Sequence, residues 1–250
     1  MPCYNEASRL STASFSSFLA PSTDPAGTSA RLIRFVLVND GSTDATLSIL
    51  HSLRACHPDR IHVLDQQPNG GKAEAVRRGM LEAIAIPGTA YTGFWDADLA
   101  TPLEAIPQLL SKLTERPEFQ MVFGARVRLL GRDIHRQAIR HYLGRVFATV
   151  VSNLLRLPIY DTQCGAKLFH VTPELADVLA APFQSRWIFD VELLARFMMR
   201  HQGDPGTIVD HIYEYPLDRW TDIAGSKLTP FDFFAAVGEL YSIYRRYLAN

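Results

Sequence analysis

The chain has 250 residues, enough to bury a full hydrophobic core without disulfide or metal staples. Apolar residues make up 47% and charged residues 20%, which excludes wholesale disorder. Lys and Arg number 25 against 26 Asp and Glu, a formal charge of −1, so no overall field draws the protein to nucleic acid.

Arg31–Asn39 reads as a β-branched strand that stops at Asp40-Gly41-Ser42, after a Ser/Thr/Pro/Gly-rich surface loop over Pro21–Ser29. Thr43–Arg54 has helical spacing, Ile61–Leu64 is a short strand closed by Asn69-Gly70-Gly71, and Lys72–Ile86 is an Ala- and Leu-rich helix. Tyr91–Trp95 is a strand ending in acids, a helix runs from about Pro102 to Thr114, and Phe119–Gly124 is a strand. The second half predicts a helix over Arg136–Leu157, a strand over Lys167–His170 and a helix over Ile188–Arg200. A strand over Thr207–Tyr213 and a closing helix over Pro230–Tyr247 complete it. Strands alternating with helices imply a single α/β domain, its mostly parallel central sheet flanked by helices. In such sheets ligands bind beyond the carboxyl ends of the strands, so Asp40–Asp44, Asn69–Lys72 and Asp96–Asp98 are expected to meet in one crevice. No apolar run of about 18 residues is present, so no transmembrane helix is expected. The polar start is unlike a secretion signal, and Cys3, Cys56 and Cys164, without metal-type spacing, point to a reducing compartment.

Three segments carry possible chemistry. Asp96 and Asp98 flank one residue at a strand end, so both carboxylates face the same way. They form either a solvated turn or a site for a hard cation, Mg²⁺ or Mn²⁺, completed by phosphate and water. In Val38–Thr46 (VNDGSTDAT), Ser42 or Thr43 caps a helix while Asp40 stays free to accept from a base or ribose. In Asn69–Met80, the glycines let backbone approach a ligand and Lys72 stands at a helix start that favours anions. The spacing is not that of a P-loop, and no G-x-G-x-x-G fingerprint is present. His135, His141, His170 and His211 are scattered, and surface or structural roles are expected for them.

PCYNE at Pro2–Glu6, VNDGSTD, GGKAEAVRRG, WDADLATP, GAR at Gly124–Arg126, DTQCGAKLF at Asp161–Phe169, WIFDVELL at Trp187–Leu194 and WTDIAGSKL at Trp220–Leu228 occur in that order. This set closely resembles family 2 glycosyltransferases of the GT-A fold, and within them the dolichyl-phosphate glucosyltransferases and mannose synthases. The family carries an apolar strand before P-x-Y-N-E, whereas this chain opens inside the motif, which implies a start lying upstream or a cut chain.

The resemblance implies one glycosyltransferase domain over 1–250, with residues 1–125 binding the nucleotide sugar and 126–250 the acceptor. The implied reaction is inverting transfer of a hexose, most simply glucose from UDP-glucose, to a polyprenyl or dolichyl phosphate. Pro2, Tyr4, Glu6, Asp40 and Lys72 would line the nucleoside pocket, with Asp96 at ribose or metal. Asp98 would hold Mg²⁺ or Mn²⁺ on the diphosphate, with Gln163 completing the shell. Arg126, Arg140 and Lys227 would meet the acceptor phosphate, and Asp190 would be the acceptor-side acid, so that Asp98, Asp190 and Arg126 are the catalytic candidates. A phosphate nucleophile is already anionic near neutral pH and needs little help from a base. Transfer to a sugar hydroxyl, or an inactive nucleotide-binding relative, are the alternatives. The expected location is cytoplasmic, peripheral on the cytoplasmic face of a membrane, with the stripe Phe233, Phe234, Val237, Leu240, Tyr241, Tyr244 and Leu248 and the adjacent Arg245 and Arg246 at the headgroups.

Overall fold

A computed structural model describes residues 1–20, 33–135, 138–201, 204–223 and 230–249, without the side chains of 138–141 and 230–234. The expected loop over Pro21–Ser29 therefore lies outside the described residues, as do Arg136, Lys227 and the side chain of Arg140. The chain runs β1 (Pro2–Cys3), α1 (Thr12–Leu19), β2 (Phe35–Asp40), α2 (Thr46–Cys56), β3 (Ile61–Gln66), α3 (Lys72–Ala85) and β4 (Tyr91–Trp95). It continues through α4 (Ala105–Glu115), β5 (Met121–Ala125), β6 (Asp133–His135), α5 (Ala138–Leu155), β7 (Ala166–His170) and α6 (Pro173–Ala180). It ends with α7 (Phe189–Arg200), α8 (Pro205–Val209), β8 (Ile212–Pro216), β9 (Arg219–Thr221), α9 (Pro230–Ile243) and a π-helical turn over Tyr244–Leu248.

Strands β1, β2 and β3 pair in parallel, with Cys3 opposite Asn39 and Asp40 opposite Gln66. All six residues of β2 are buried, as expected of a parallel strand covered on both faces. A second sheet has the order β4-β7-β5-β8, and a short parallel pair joins β6 to β9. The pairing is mostly parallel, as expected, but β7 runs antiparallel to both β4 and β5. That reversal positions the site. The start of β7 lies beside the end of β4, with Ala166 opposite Trp95, so the turn before β7 reaches the acids after β4.

Helices cover both faces. One core unites Met80, Phe94, Phe123, Phe169, Phe189 and Leu194, and the other unites Phe15, Leu37, Leu50, Leu109 and Leu217. Each fully buried Leu or Phe contributes roughly 1.5–3 kcal/mol, so these two layers dominate stability.

Most expected elements lie within a few residues of their predicted bounds. The strand expected over Thr207–Tyr213 is instead α8 followed by β8. Asp204 accepts from the Gly206 N–H at 2.9 Å and Pro205 occupies the first helical turn, a start signal stronger than the short β-branched run. Helices α1 and α6 are additions to the sequence reading. For α6 the signal was present, since Thr172 caps the Leu175 N–H at 3.2 Å with Pro173 next in line.

Candidate active site

The first wall is built where β1, β2 and the start of α3 converge. Asn5 adopts φ +50° and grips the loop after β2: its N–H donates to Ser42 Oγ at 3.1 Å and its Oδ1 accepts from the Thr43 N–H at 2.8 Å. Ser42 and Thr43 thus lock the two segments together rather than capping the helix, whose N-cap is Ala45, and Asp44 closes the turn just before it. Its Oδ1 accepts from the Thr46 N–H at 2.9 Å and its Oδ2 from the Ala7 N–H at 3.1 Å. Pro2 is half-buried in β1, and Tyr4 stands 39% exposed at the rim. Glu6 is buried, its carboxylate accepting from Arg9 Nε at 2.8 Å.

Asp40 is less free than expected. Its Oδ1 accepts from Gln66 Nε2 and from the Gly70 N–H, both at 2.7 Å, making it a strut between β2, β3 and the loop before α3. Gly41 has φ +66°, and a Cβ there would meet the Asn69 backbone nitrogen at 2.6 Å, so only glycine lets these two loops close.

Asp96 and Asp98 follow β4, both half-buried. Trp95 Nε1 donates to the Thr101 carbonyl at 2.8 Å, tying down the loop, and Asp98 Oδ1 accepts from the Ala100 N–H at 3.1 Å. Between them and that N–H, Leu99 sits at φ +54°. A left-handed non-glycine residue costs on the order of 1–3 kcal/mol, and such strain concentrates at functional sites. Burial, followed by the neighbouring Asp96 charge, holds the Asp98 carboxyl above its ordinary range. Lys72, expected beside a nucleoside, places its Nζ 2.6 Å from Asp96 Oδ1. Burial alone would lower the Lys72 pKa, but Asp96 and Asp190 outweigh it and raise it.

The opposite wall is the turn over residues 160–165. Gly165 O accepts from the Asp96 N–H at 2.8 Å, and a Cβ on Gly165 would fall 1.9 Å from Asp96 Oδ2. Gln163 belongs to this turn, and its Nε2 is buried without a hydrogen-bond partner among the described residues. Arg126, expected at the acceptor phosphate, is held in an ion pair within the protein. Its Nε and Nη2 donate to the two oxygens of Asp161 at 2.6 and 2.7 Å, and its guanidinium lies 5.2 Å from the Trp220 ring centroid. The Asp161 charge overcomes burial and raises the Arg126 pKa further.

Asp190 is buried in the first turn of α7, 2.6 Å from Lys167 Nζ, and burial raises its pKa against the pull of Lys167 and Lys72. Glu192 is structural: it accepts from the Gln184 and Ser185 N–H groups at 2.8 and 2.9 Å and from Tyr247 at 2.9 Å. Burial pushes the Cys164 thiol up to about 11, so it stays protonated near neutral pH and is no nucleophile. His135 pairs with Asp133, His170 stacks on Tyr91 and His211 faces the Glu118 carbonyl, while the side chain of His141 lies outside the described residues.

Sequence reading does not single out Asp161, Lys167 and Glu214, which the structure places in the bonding network around the turn 160–165. The signal was available: a lysine inside the apolar run AKLF and a glutamate inside IYEYP each demand a buried partner.

These groups fit a hard divalent cation. Two half-buried carboxylates, one with a raised pKa, stand together after β4, and carboxylate oxygen is the ligand type such a cation takes. Among the described residues no three His, Cys, Asp or Glu side chains converge, so a cation here requires further oxygen ligands such as phosphate and water.

Residues 1–174 match the family model described as Glycosyl transferase family 2. The dolichyl-phosphate beta-glucosyltransferase of Drosophila melanogaster is 34% identical over 257 residues, a match covering 100% of this chain and 74% of that protein. The protein of the same description in Dictyostelium discoideum is 33% identical over 203 residues, covering 78% of this chain and 57% of that protein. Among solved structures, glucosyl-3-phosphoglycerate synthase from Mycobacterium tuberculosis in complex with Mn²⁺, UDP and glucosyl-3-phosphoglycerate superposes with a TM-score of 0.63. It shares 19% identity, with 97% of this chain and 77% of that one covered, a likeness of fold.

Proposed function

Because the chain belongs to glycosyltransferase family 2, we propose that it transfers glucose from UDP-glucose to dolichyl phosphate. The observation that carries this reading is the meeting of Asp96, two residues before Asp98, with the turn 160–165 at the end of β4 and with Lys72 at the start of α3. In this reading residues 1–125 supply the nucleotide pocket, with Pro2, Tyr4, Glu6 and Asp40 on its nucleoside side, and residues 126–250 supply the acceptor side.

Asp96, Asp98 and Gln163 would hold the cation, Mg²⁺ or Mn²⁺. When bound, it neutralises the negative charge that builds on the departing diphosphate. Lys72, kept charged by Asp96 and Asp190, adds positive potential at the same place. The acceptor phosphate oxygen forms the new bond to the anomeric carbon as the bond to the nucleoside diphosphate breaks. An α-linked donor then yields a β-linked product. The nucleophile is already anionic, so no side chain needs to take a proton from it. The engagement of Asp190 by Lys167 accords with that and disfavours a sugar-hydroxyl acceptor, which requires a base.

A donor screen tests the reading. Pure protein with Mg²⁺, a short polyprenyl phosphate and UDP-glucose is expected to yield a hexosyl lipid detectable by mass, with little product from GDP-mannose. Product from GDP-mannose alone would reassign the donor, and no lipid product from any nucleotide sugar would overturn the proposal.

A lipid acceptor brings the protein to a bilayer surface, on our reading the cytoplasmic face. Among the described residues no helix is long and apolar enough to cross a membrane. The stripe expected on the closing helix divides: Leu240 is buried, Val237, Tyr241 and Tyr244 are exposed, and the side chains of Phe233 and Phe234 lie outside the described residues. The outer face of α5 exposes Tyr142, Leu143, Val146 and Val150. Anionic vesicles are expected to float the protein at low salt and release it near about 0.5 M, where charges are screened within a few ångströms. Absence of flotation at low salt would remove direct surface docking from the proposal.

A further inference from the structure

Lys167 is the one lysine with a fully buried side chain among the described residues. It sits in an inner strand of the second sheet, between the rings of Phe94 and Phe123, at 5.3 and 5.4 Å from their centroids. A lone ammonium there would be expelled or neutralised. It is instead fully engaged: Nζ donates to the Thr162 carbonyl at 2.9 Å and to the Cys164 carbonyl at 2.7 Å, and lies 2.6 Å from Asp190 Oδ1. Those two carbonyls flank Gln163. From the other side, Glu214 accepts from the Tyr160 and Asp161 N–H groups at 2.8 and 2.6 Å. Asp161 in turn holds Arg126.

The turn 160–165 has no helix or strand ladder of its own. Its backbone is held by buried Lys167 from β7 and half-buried Glu214 from β8, and it is the segment whose Gly165 abuts the Asp96 carboxylate. A flexible loop would not maintain that contact; one clamped by an ammonium at two carbonyls does.

We infer that Lys167 is a positioning residue that sets the cation side of the donor site through the Gln163 turn, and that Asp190 is its counter-ion rather than an acid or base in transfer. This rests on the proposed transferase reading. Removing Lys167 alone would strand the Asp190 charge in the core, a cost that falls on folding. The informative variant is therefore Lys167→Met/Asp190→Asn, which deletes both charges together, alongside Asp190→Asn alone, in which the amide oxygen still accepts from Lys167.

The experiment measures UDP affinity by calorimetry with and without Mn²⁺, melting temperature, and steady-state transfer across pH. Transfer by the unmodified protein tests the proposed function; the variants are compared only with it, so the two ideas fail separately. Lys167→Met/Asp190→Asn is expected to melt cooperatively and to lose at least about tenfold in UDP affinity with Mn²⁺, with a much smaller loss without it. Asp190→Asn is expected to lower kcat by less than about tenfold and to leave the shape of the pH profile unchanged, whereas loss of a general base costs about 10²–10⁴-fold. Parent-like UDP and Mn²⁺ binding by the double variant would overturn the role of Lys167. A collapse of kcat in Asp190→Asn, with the pH dependence gone, would make Asp190 a reacting group and overturn the inference. If the double variant does not fold, Lys167→Gln/Asp190→Asn, which keeps a donor at the two carbonyls, is measured in its place, and parent-like UDP and Mn²⁺ affinity there together with a collapse of kcat in Asp190→Asn overturns the inference.

Discussion

Asp98→Ala is expected to reduce glucosyl transfer by at least about 10³-fold, since charge stabilisation at the leaving diphosphate is worth several kcal/mol and each 1.36 kcal/mol is tenfold. The fold is expected to survive. Asp98 is half-buried at a strand end, and its one described hydrogen bond, from the Ala100 N–H, caps a turn rather than a core element. Removing its carboxylate also relieves the repulsion from Asp96 that helps raise its pKa. Near-ultraviolet circular dichroism and the melting temperature should therefore stay close to the parent while product disappears. Exchange of the unmodified protein into EDTA should give the same loss, reversed by Mg²⁺ or Mn²⁺. Undiminished transfer in excess chelator would sink the cation mechanism.

Gly165→Ala should be nearly as damaging, although it adds a single methyl group. The new Cβ would fall 1.9 Å from Asp96 Oδ2 and 2.1 Å from its Cγ, so either the carboxylate or the turn must shift. The Asp96 N–H bond to the Gly165 carbonyl couples the two, and Lys72 follows Asp96 through their ion pair. A displacement of about 1 Å at a reacting centre can cost about 10²-fold, which sets the expected fall in kcat/KM. Gly238→Ala is the matched control. Its Cβ meets nothing within 4 Å, and it lies in α9 away from this site. Equal activity of the Gly165→Ala and Gly238→Ala proteins would show that Asp96 tolerates displacement and does not depend on the turn.

Local patterning determined a large part of this protein. The alternation of β-branched runs with helical spacing marked β2, α2, β3, α3, β4, α4 and β5. The polar clusters after β2 and β3 converge because parallel strands present their carboxyl ends together, and the cluster after β4 joins them through the Lys72–Asp96 pair. The family was legible because several of its motifs, VNDGSTD and WDADLATP among them, fall at those strand ends.

Charge partners were not legible in that way. Nothing local in DTQCGAKLF says that its lysine faces Asp190, separated from it by 23 positions (190 − 167), or that Arg126 closes on Asp161. Those pairings follow from β7 running against β4 and β5, a reversal that period-two patterning does not encode because both directions bury the same face. The same limit explains the fate of Asp40 and Lys72. Sequence placed them at strand ends, but their partners Gln66, Gly70 and Asp96 come from three other segments. Residue type and spacing decide which groups reach the sheet edge. Only the packed backbone decides which of them are consumed as struts and which remain turned toward a ligand.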